Sequence, residues 1–223
     1  MLQLSSLVLY PPKHNEITYT LFCSNHDIGT MITYEYFYPR MPPNIILRPI
    51  LMPLPFLFNR SMGREQAALQ TSADWVWFAD VDYIFPPNCW EDLSSLVTNV
   101  WADLVWPNYY YNIMHQKGDE LIADIIGPAV IDIDRSEVTK VPISMAIGGI
   151  QIGRGDDLRK HGYDKLRGGR IPIPVWKHGT GGDGKYRKRV EKRAPIPLNN
   201  LIRISHSYQT NKSINNVRPP ALI

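Results

Sequence analysis

The chain has 223 residues, of which 44% are hydrophobic and 20% are charged, a composition typical of a folded protein. These values exclude a disordered tail, a collagen-like repeat and a disulfide-rich miniprotein, and the length suits one domain or at most two small ones. Lys and Arg number 24 and Asp and Glu 21, so the net charge of +3 is weak support for a nucleic-acid-binding protein. The 19 Pro, 12 Tyr and 6 Trp predict many fixed turns and a surface or cleft rich in flat rings.

Cysteine usage and hydropathy exclude further classes of protein. Cys23 and Cys89 lack the spacing of a zinc or redox motif, and we expect buried free thiols, with a disulfide as the alternative. The most apolar stretch, residues 45–58, contains Arg48 and several prolines, so it does not predict a membrane-spanning helix. No signal peptide is visible. We therefore expect a cytoplasmic protein without a transmembrane segment.

Short apolar runs in the first half of the chain predict strands, several of them rich in β-branched or aromatic residues. The predicted strands are 7–10, 17–23, 45–50, 75–79 and 102–107. Two helices are predicted between them. The first begins after Asn59 and runs roughly to Thr71, with Met62, Gln66 and Leu69 on one face, and the second follows Pro86-Pro87-Asn88.

The alternation of strands with helices or loops predicts an α/β fold, with a mostly parallel central sheet flanked by helices in a single compact domain. Ligands of such sheets bind beyond the carboxyl ends of the strands. Tyr10, Asn25 and Asp80 come at such predicted ends. The second half of the chain is less regular and is punctuated by pairs of glycines.

Asp80-Val81-Asp82 follows the strongest strand signal, which runs from Trp75 to Ala79. Two carboxylates at this place are costly to bury unless something compensates their charge. If the chain stays extended, both point the same way and can face one divalent cation, for which their oxygens suit Mg²⁺ or Mn²⁺. The alternative is a pair of solvated turn aspartates, with Asp82 capping a helix.

Two further features are candidate ligand contacts. Arg60 lies in the first turn of a predicted helix, where a cation opposes the helix dipole. It is therefore a candidate contact for an anionic or planar ligand, or else a solvated surface arginine. Gly148-Gly149 allows the backbone to approach a ligand closely, or forms only a tight turn before a strand.

Two late residues are candidates for proton transfer and metal binding. Asp183 follows paired glycines and lies near Trp176 in sequence, so it either accepts a proton from an acceptor hydroxyl or caps the helix predicted for residues 185–193. His206 ends a predicted strand. It becomes a credible metal ligand only if the fold returns it to Asp80-Val81-Asp82.

Taken in order, these features resemble the GT-A glycosyltransferases. The strings most similar to the β-1,4-galactosyltransferase-like and family 2-like branch are 58–60, 78–82, 148–149, 159–164, Trp176 and 181–183. The resemblance covers about residues 7–208 and implies one GT-A domain, 1–223. It divides this domain into a nucleotide-binding half to about residue 107, a donor-sugar and acceptor half from about 108 to 210, and a loose tail, 211–223.

The resemblance implies a metal-dependent transfer of a sugar from a nucleoside-diphosphate sugar, expected to be a UDP-sugar, to a hydroxyl of a glycan or other acceptor. Donor hydrolysis is an expected side reaction. Asp183 would be the catalytic base of an inverting transfer, and Asp82, His206 and Asp80 would hold Mn²⁺ or Mg²⁺. The implied nucleotide-sugar contacts are Tyr10 and Pro11 at the base, Arg60, the ribose contact Asp80, Val81, Gly148 and Gly149 at the donor sugar, and Trp176.

Other classes of function stay open at this point. One is a glycoside or phosphate hydrolase that uses the two aspartates, although the carboxyls of glycosidases usually come from separate segments. The other is a module that binds carbohydrate or nucleic acid without catalysis, through Tyr109-Tyr110-Tyr111 and the basic run at 185–193. With the small net charge, we expect no nucleic-acid partner.

Overall fold

The computed structural model describes residues 4, 7–8, 10–24, 26, 28–113, 138–164 and 182–205. The strands are β1 (Ile17–Cys23), β2 (Ile45–Leu51), β3 (Trp75–Ala79), β4 (Tyr83–Ile84), β5 (Leu104–Pro107), β6 (Tyr109–Ile113), β7 (Val138–Pro142), β8 (Ile150–Arg154), β9 (Arg193–Ile196) and β10 (Ile202–Ile204). The helices are α1 (Ile28–Phe37), α2 (Leu54–Leu57), α3 (Arg60–Gln70), α4 (Cys89–Thr98), α5 (Gly155–His161) and α6 (Gly182–Arg189), with a 3-10 helix at Tyr38–Arg40. Of the helices in these described ranges, none combines the length and apolarity needed to cross a membrane.

The described strands form three sheets, with the orders β1-β2, β4-β10-β6-β7 and β3-β8-β5-β9. The pairs β1–β2, β5–β9 and β6–β10 are parallel. The pairs β3–β8, β5–β8, β4–β10 and β6–β7 are antiparallel. The α/β class is confirmed, but these pairings are mixed rather than mostly parallel, because β8 returns between β3 and β5 and runs against both.

The strands predicted at 17–23, 45–50, 75–79 and 102–107 are confirmed as β1, β2, β3 and β5. The strand predicted at 7–10 is wrong, because Leu4, Leu7 and Val8 are helical. Their spacing places them on one face of a helix, and Leu4 and Leu7 are 1% and 0% exposed. A short apolar run of this kind does not by its pattern distinguish a buried strand from a buried helix.

The two predicted helices are confirmed as α3 and α4. The buried face of α3 contains Met62, Glu65 and Ala68, whereas Leu69, predicted for that face, is 43% exposed. Asn59 precedes α3 as predicted, but its side chain makes no capping hydrogen bond. The prediction is confirmed for Met62 and wrong for Leu69, because the buried face also includes the carboxylate of Glu65.

The sheet β3-β8-β5-β9 is covered on both faces, because successive side chains of a strand point in opposite directions. Trp77 and Ile152 pack in a core cluster with Leu93 of α4. Phe78 packs in a second cluster with Tyr163, on the opposite face. This burial fixes β3 firmly, and its carboxyl end carries the chain into the candidate site.

Both cysteines are free and buried, Cys23 at 2% and Cys89 at 1% exposure. The prediction of buried free thiols is confirmed. Burial raises the pKa of the Cys89 thiol well above its usual range, and the nearby carboxylates of Asp92 and Glu91 raise it further. The Cys89 thiol is therefore packed as an apolar group and stays protonated at neutral pH.

Candidate active site

Asp80 follows β3 directly, beside the glycine pair that precedes β8. Ala79 lies opposite Ile150 in the antiparallel pair of β3 and β8. The indole Nε1 of Trp77 donates a hydrogen bond to the main-chain oxygen of Gly149 at 3.0 Å. A Cβ on Gly149 would lie 2.6 Å from the backbone nitrogen of Asp80 and 2.7 Å from its Cγ. Only glycine fits there, so this position fixes how closely β8 approaches Asp80.

Gly148 lies between two carboxylates that are far apart in sequence. Its φ of +38° is a conformation that favours glycine. A Cβ built there would lie 3.7 Å from Asp80 Oδ2 and 3.8 Å from Asp183 Oδ2. The backbone at Gly148 and these two oxygens therefore border one common space.

Asp183 lies in the first turn of α6 and is held at both its side chain and its backbone. Its Oδ1 accepts hydrogen bonds from Arg64 Nη1 and from the Tyr163 hydroxyl, each at 2.5 Å. Its main-chain oxygen accepts a hydrogen bond from Gln151 Nε2 at 3.1 Å. The Asp183 side chain remains 35% exposed, so it is oriented but still accessible.

Arg64 joins the two carboxylates. Its Nη2 lies 2.7 Å from Asp80 Oδ1, its Nη1 lies 2.5 Å from Asp183 Oδ1, and its side chain is only 11% exposed. Burial by itself would lower the pKa of Arg64, but Tyr163 and the two carboxylates outweigh it and raise the pKa overall. One permanently charged guanidinium therefore sets the relative position of two acidic groups from different segments.

The Tyr163 hydroxyl is buried between two acceptors. It lies 2.5 Å from Asp183 Oδ1 and 2.6 Å from Gln151 Oε1. Gln151 Nε2 donates to the main-chain oxygens of Ala146 and Asp183 at 3.3 and 3.1 Å, which orients the amide. Burial raises the pKa of Tyr163 far above its usual range. The hydroxyl therefore keeps its single proton and donates it to one of the two acceptors at a time.

Glu65 holds the loop that carries Tyr163. Its buried Oε2 accepts hydrogen bonds from the backbone N–H groups of Tyr163 and, at 2.7 Å, of Asp164. Gly162 has a φ of +69°, and a Cβ there would collide with the Glu65 carboxylate. Helix α3 thus contributes two adjacent residues to the site, with Arg64 on the carboxylates and Glu65 on the loop.

Asp82 takes a different partner from Asp80. The chain forms a turn at Val81 and Asp82, so the extended backbone on which both carboxylates would point the same way is absent at these residues. Val81 is 56% exposed and Asp82 only 6% exposed. Asp82 Oδ2 accepts a hydrogen bond from Arg203 Nε at 3.0 Å, whereas Asp80 pairs with Arg64. Asp80 and Asp82 are only two residues apart, but each therefore forms an ion pair with a different arginine.

Strand β10 brings Arg203 to Asp82. The backbone N–H of Ile204 donates to the main-chain oxygen of Asp82 at 2.8 Å, and Arg203 lies opposite Tyr83 in the antiparallel pair of β10 and β4. The Arg203 guanidinium lies 5.8 Å from the ring centres of both Tyr83 and Tyr110. The strand that was predicted to end at His206 is confirmed for Ile202–Ile204, and it places Arg203 against Asp82.

The described residues contain no group of three or more His, Cys, Asp or Glu side chains that could hold a metal ion. His206, the third expected ligand, lies outside the described residues. Asp82 nevertheless forms an ion pair with Arg203, so its carboxylate faces a cation. Carboxylate oxygens are also preferred ligands of Mg²⁺ and Mn²⁺. The carboxylates of Asp80 and Asp82 are therefore the kind of ligand that would hold a divalent cation, although each is paired with an arginine in this structure.

Other predicted site residues are not joined to this cluster. Tyr10 is partly buried and Pro11 exposed, and no hydrogen bond or ion pair between described residues links either to the carboxylates. The strand that was predicted to end at Tyr10 is absent there. Arg60 begins α3, but its side chain, like the whole of Trp176, lies outside the described part of the chain.

The basic run after Asp183 is largely engaged within the protein. Helix α6 ends at Arg189, and Arg193, which was predicted to continue it, begins β9. Lys185 Nζ lies 3.1 Å from an oxygen of Asp164, and Arg187 donates to a main-chain oxygen at 2.8 Å. The run is therefore not simply a solvated helix face, since several of its cations hold neighbouring segments.

Several residues of the site carried no predicted role, namely Arg64, Glu65, Gln151, Tyr163 and Arg203. For Arg64 a signal existed, because it lies one helical turn after Arg60 and can face the same ligand. Glu65 was detectable only once the buried face of α3 was known. The remaining contacts have no local signal, since Arg203 and Asp82 are 121 residues apart.

The α/β fold, with acidic residues after β3 and a glycine pair against Asp80, is the arrangement of a GT-A glycosyltransferase. A family model described as glycosyl transferase family 2 matches residues 49–162, just over half of the chain. The chain belongs to glycosyl transferase family 2, and it is a glycosyltransferase enzyme. A search of the curated proteins finds no match. The match includes Arg64, Asp80, Asp82, Gly148 and Gly149, whereas Asp183 follows it.

Proposed function

We propose that this glycosyltransferase moves a sugar from a UDP-sugar to a hydroxyl of a glycan or other acceptor, with inversion at the sugar carbon. One observation carries the proposal. Asp80 Oδ2 and Asp183 Oδ2 border the same space at Gly148, at 3.7 and 3.8 Å from the position of a Cβ there. A donor sugar in this space would lie between Asp80, on the side of the nucleotide, and Asp183, the proposed base.

Asp183 is the proposed base, and its two oxygens have different surroundings. Oδ1 is taken by Arg64 and Tyr163, whereas Oδ2 faces Gly148. In the proposed step the acceptor oxygen bonds to the sugar carbon as the bond from that carbon to the diphosphate breaks. The electron pair leaves with the nucleoside diphosphate, and the acceptor proton passes to Asp183 Oδ2. An α-linked donor then yields a β-linked product.

The donor side of the proposal rests on the aspartates after β3. Asp80 would contact the donor ribose, and Asp80, Asp82 and His206 would hold Mn²⁺ or Mg²⁺. Such an ion, when bound, neutralises charge that develops on a leaving diphosphate. The resemblance to β-1,4-galactosyltransferase-like enzymes supports UDP as the nucleotide. The further proposed donor contacts are Tyr10, Pro11, Arg60, Val81, Gly148, Gly149 and Trp176.

Calorimetry with UDP, with and without Mn²⁺, tests the proposal. We expect binding that depends on Mn²⁺ and disappears in Asp82→Ala but persists in Asp92→Ala, since Asp92 is exposed on α4. A screen of nucleotide sugars for Mn²⁺-dependent hydrolysis then identifies the donor without a known acceptor. Metal-independent binding of a glycan or RNA, with no affinity for any nucleotide, would contradict the proposal, and an α-linked product from an α-linked donor would contradict inversion.

A further inference from the structure

Asp82, the aspartate proposed to contact a divalent ion, already has a cation of the protein at its carboxylate. Arg203 Nε lies 3.0 Å from Asp82 Oδ2, and the two side chains are 27% and 9% exposed. A partly buried ion pair of this kind is screened less than a pair on the surface. The guanidinium is therefore a strong local charge, and any second cation at this carboxylate has to contend with it.

Arg203 is fixed in place by its surroundings. The backbone hydrogen bond from Ile204 to Asp82 sets the position of β10, and the Arg203 guanidinium lies beside the ring pair of Tyr83 and Tyr110, 5.8 Å from each ring centre. A guanidinium does not lose its proton in a protein. Arg203 is thus charged at every physiological pH and is held at Asp82 by strand pairing and aromatic contacts.

Two cations at one carboxylate repel each other. A divalent ion bound to Asp82 would share the oxygen that Arg203 contacts, or would lie on the neighbouring oxygen a few ångströms from the guanidinium. Coulomb repulsion at such a separation is substantial even at the effective dielectric constant of a protein surface. Direct binding of a metal ion therefore requires either displacement of Arg203 or additional negative charge from a ligand.

We propose that Arg203 is a resident counter-cation of Asp82 that determines the cation requirement of this enzyme. Arg203 competes with the divalent ion for Asp82, so the protein alone binds the ion weakly. The donor diphosphate supplies the further negative charge that brings the ion in. This inference rests on the proposed function, because it assumes that the cation site serves a nucleotide diphosphate.

Mn²⁺ titrations followed by electron paramagnetic resonance test the inference, because the signal of free aqueous Mn²⁺ falls as the ion binds. We expect Arg203→Met to bind Mn²⁺ about tenfold more tightly than the wild type in the absence of nucleotide. Arg203→Lys keeps a cation near Asp82 and should stay close to the wild type. Arg48→Met, at an exposed position on β2, should have no effect.

The double variant Asp82→Asn with Arg203→Met tests whether the expected gain in Mn²⁺ affinity arises at Asp82. If the tighter site is at Asp82, the double variant loses it. Arg203→Gln retains a donor for Asp82 and takes the place of Arg203→Met if the methionine variant does not fold. Mn²⁺ should also raise the melting temperature of the neutral variant, Arg203→Met, more than that of the wild type, because the ion binds the folded variant more tightly.

Equal Mn²⁺ affinity in the wild type and the neutral variant, or no binding to either, overturns the inference and leaves Arg203 a structural partner of Asp82. UDP calorimetry on the same proteins tests the proposed function separately. UDP binding with unchanged Mn²⁺ affinity overturns the counter-cation inference alone. No UDP binding with or without Mn²⁺ overturns the proposed function, even if the Mn²⁺ site behaves as expected.

Discussion

Gly149 lies against Asp80 with no room for a side chain. A Cβ at this position would be 2.6 Å from the backbone nitrogen of Asp80 and 2.8 Å from its Cβ. Two of these atoms, the backbone nitrogen and the Cβ whose position the backbone fixes, cannot rotate away as the end of a flexible side chain would. The glycine pair before β8 therefore determines the position of the first aspartate after β3.

Gly149→Ala should force Asp80 away from β8. We expect a loss of about 1–3 kcal/mol in the free energy of unfolding, as for an overpacked site, measured by urea denaturation, together with weaker UDP binding. Gly184→Ala is the matched control, because a Cβ there meets nothing within 4 Å. Since alanine favours a helix over glycine, this control should not lose stability. Equal stability and UDP affinity in both variants would show that Asp80 tolerates the shift.

Arg64→Met removes the cation that joins Asp80 to Asp183. Since Arg64 is 11% exposed but its partners are 29% and 35% exposed, solvent screens part of the loss. We expect the free energy of unfolding to fall by about 2 kcal/mol, the scale of hydrogen bonds to charged groups. Urea denaturation measures it. Arg48→Met is the control and should change stability by less than about 0.5 kcal/mol.

A second substitution tests the cause of the Arg64 effect. If repulsion between the exposed carboxylates contributes, Asp80→Asn should restore part of the stability lost in Arg64→Met. No recovery would mean that lost packing of the arginine side chain, rather than uncompensated charge, accounts for the change.

Asp183→Asn should slow transfer strongly and leave nucleotide binding intact. Loss of a general base typically costs about 10²–10⁴-fold in rate, so we expect kcat for donor hydrolysis or transfer to fall on that scale. UDP affinity, measured by calorimetry, should change little. Asp156→Asn, an exposed carboxylate on α5, is the control. An Asp183→Asn enzyme with wild-type kcat would remove Asp183 from the base role.

Tyr163→Phe removes a buried hydroxyl that donates to Asp183 or Gln151. A hydrogen bond of this kind contributes about 1 kcal/mol, and we expect a loss of that size at pH 8 by urea denaturation. Tyr38→Phe is the control, since Tyr38 is 57% exposed. A loss of equal size in both variants would contradict a specific role for the Tyr163 hydroxyl.

The same two proteins give a pH test. Burial raises the pKa of Tyr163 in the folded state above its usual value, which is about 10 in the unfolded chain. The contribution of this group is therefore fully present below about pH 10 and is lost as the pH rises above it. The stability gap between the wild type and Tyr163→Phe should narrow between pH 8 and pH 10.5. A gap that widens would contradict the direction of the pKa shift.

The thiol of Cys89 should resist labelling in the folded protein. It is 1% exposed, and burial raises its pKa, so at pH 8 little reactive thiolate is present. Titration with Ellman's reagent should detect neither cysteine in the native protein and both after urea unfolding without reductant. Rapid labelling of the native protein would show local opening at the start of α4, and no thiols after unfolding would indicate a disulfide.

Local sequence patterns predicted the elements whose signal is local. The β-branched and aromatic runs became β1 and β3, and Asp80-Val81-Asp82 follows β3 as predicted, although in a turn rather than an extended segment. The strand predicted at 7–10 was wrong because four residues are too few to distinguish the period of a helix from that of a strand. The prediction of mostly parallel strands was wrong for a different reason. Whether β8 returns between β3 and β5 depends on long-range pairing, which no periodicity encodes.

The sequence by itself determined which chemical groups the site contains, namely two aspartates after a strand, a glycine pair and a late acid. It also determined their membership of a known family, through residues 49–162. Only the tertiary structure decided their partners. Arg64 contacts Asp80, 16 residues away in sequence, and Asp183, 119 residues away. Arg203 pairs with Asp82. These pairings depend on the rotation of α3 and the position of β10, and both are set by the packing of residues that lie far apart in sequence, such as Ala68 with Tyr163.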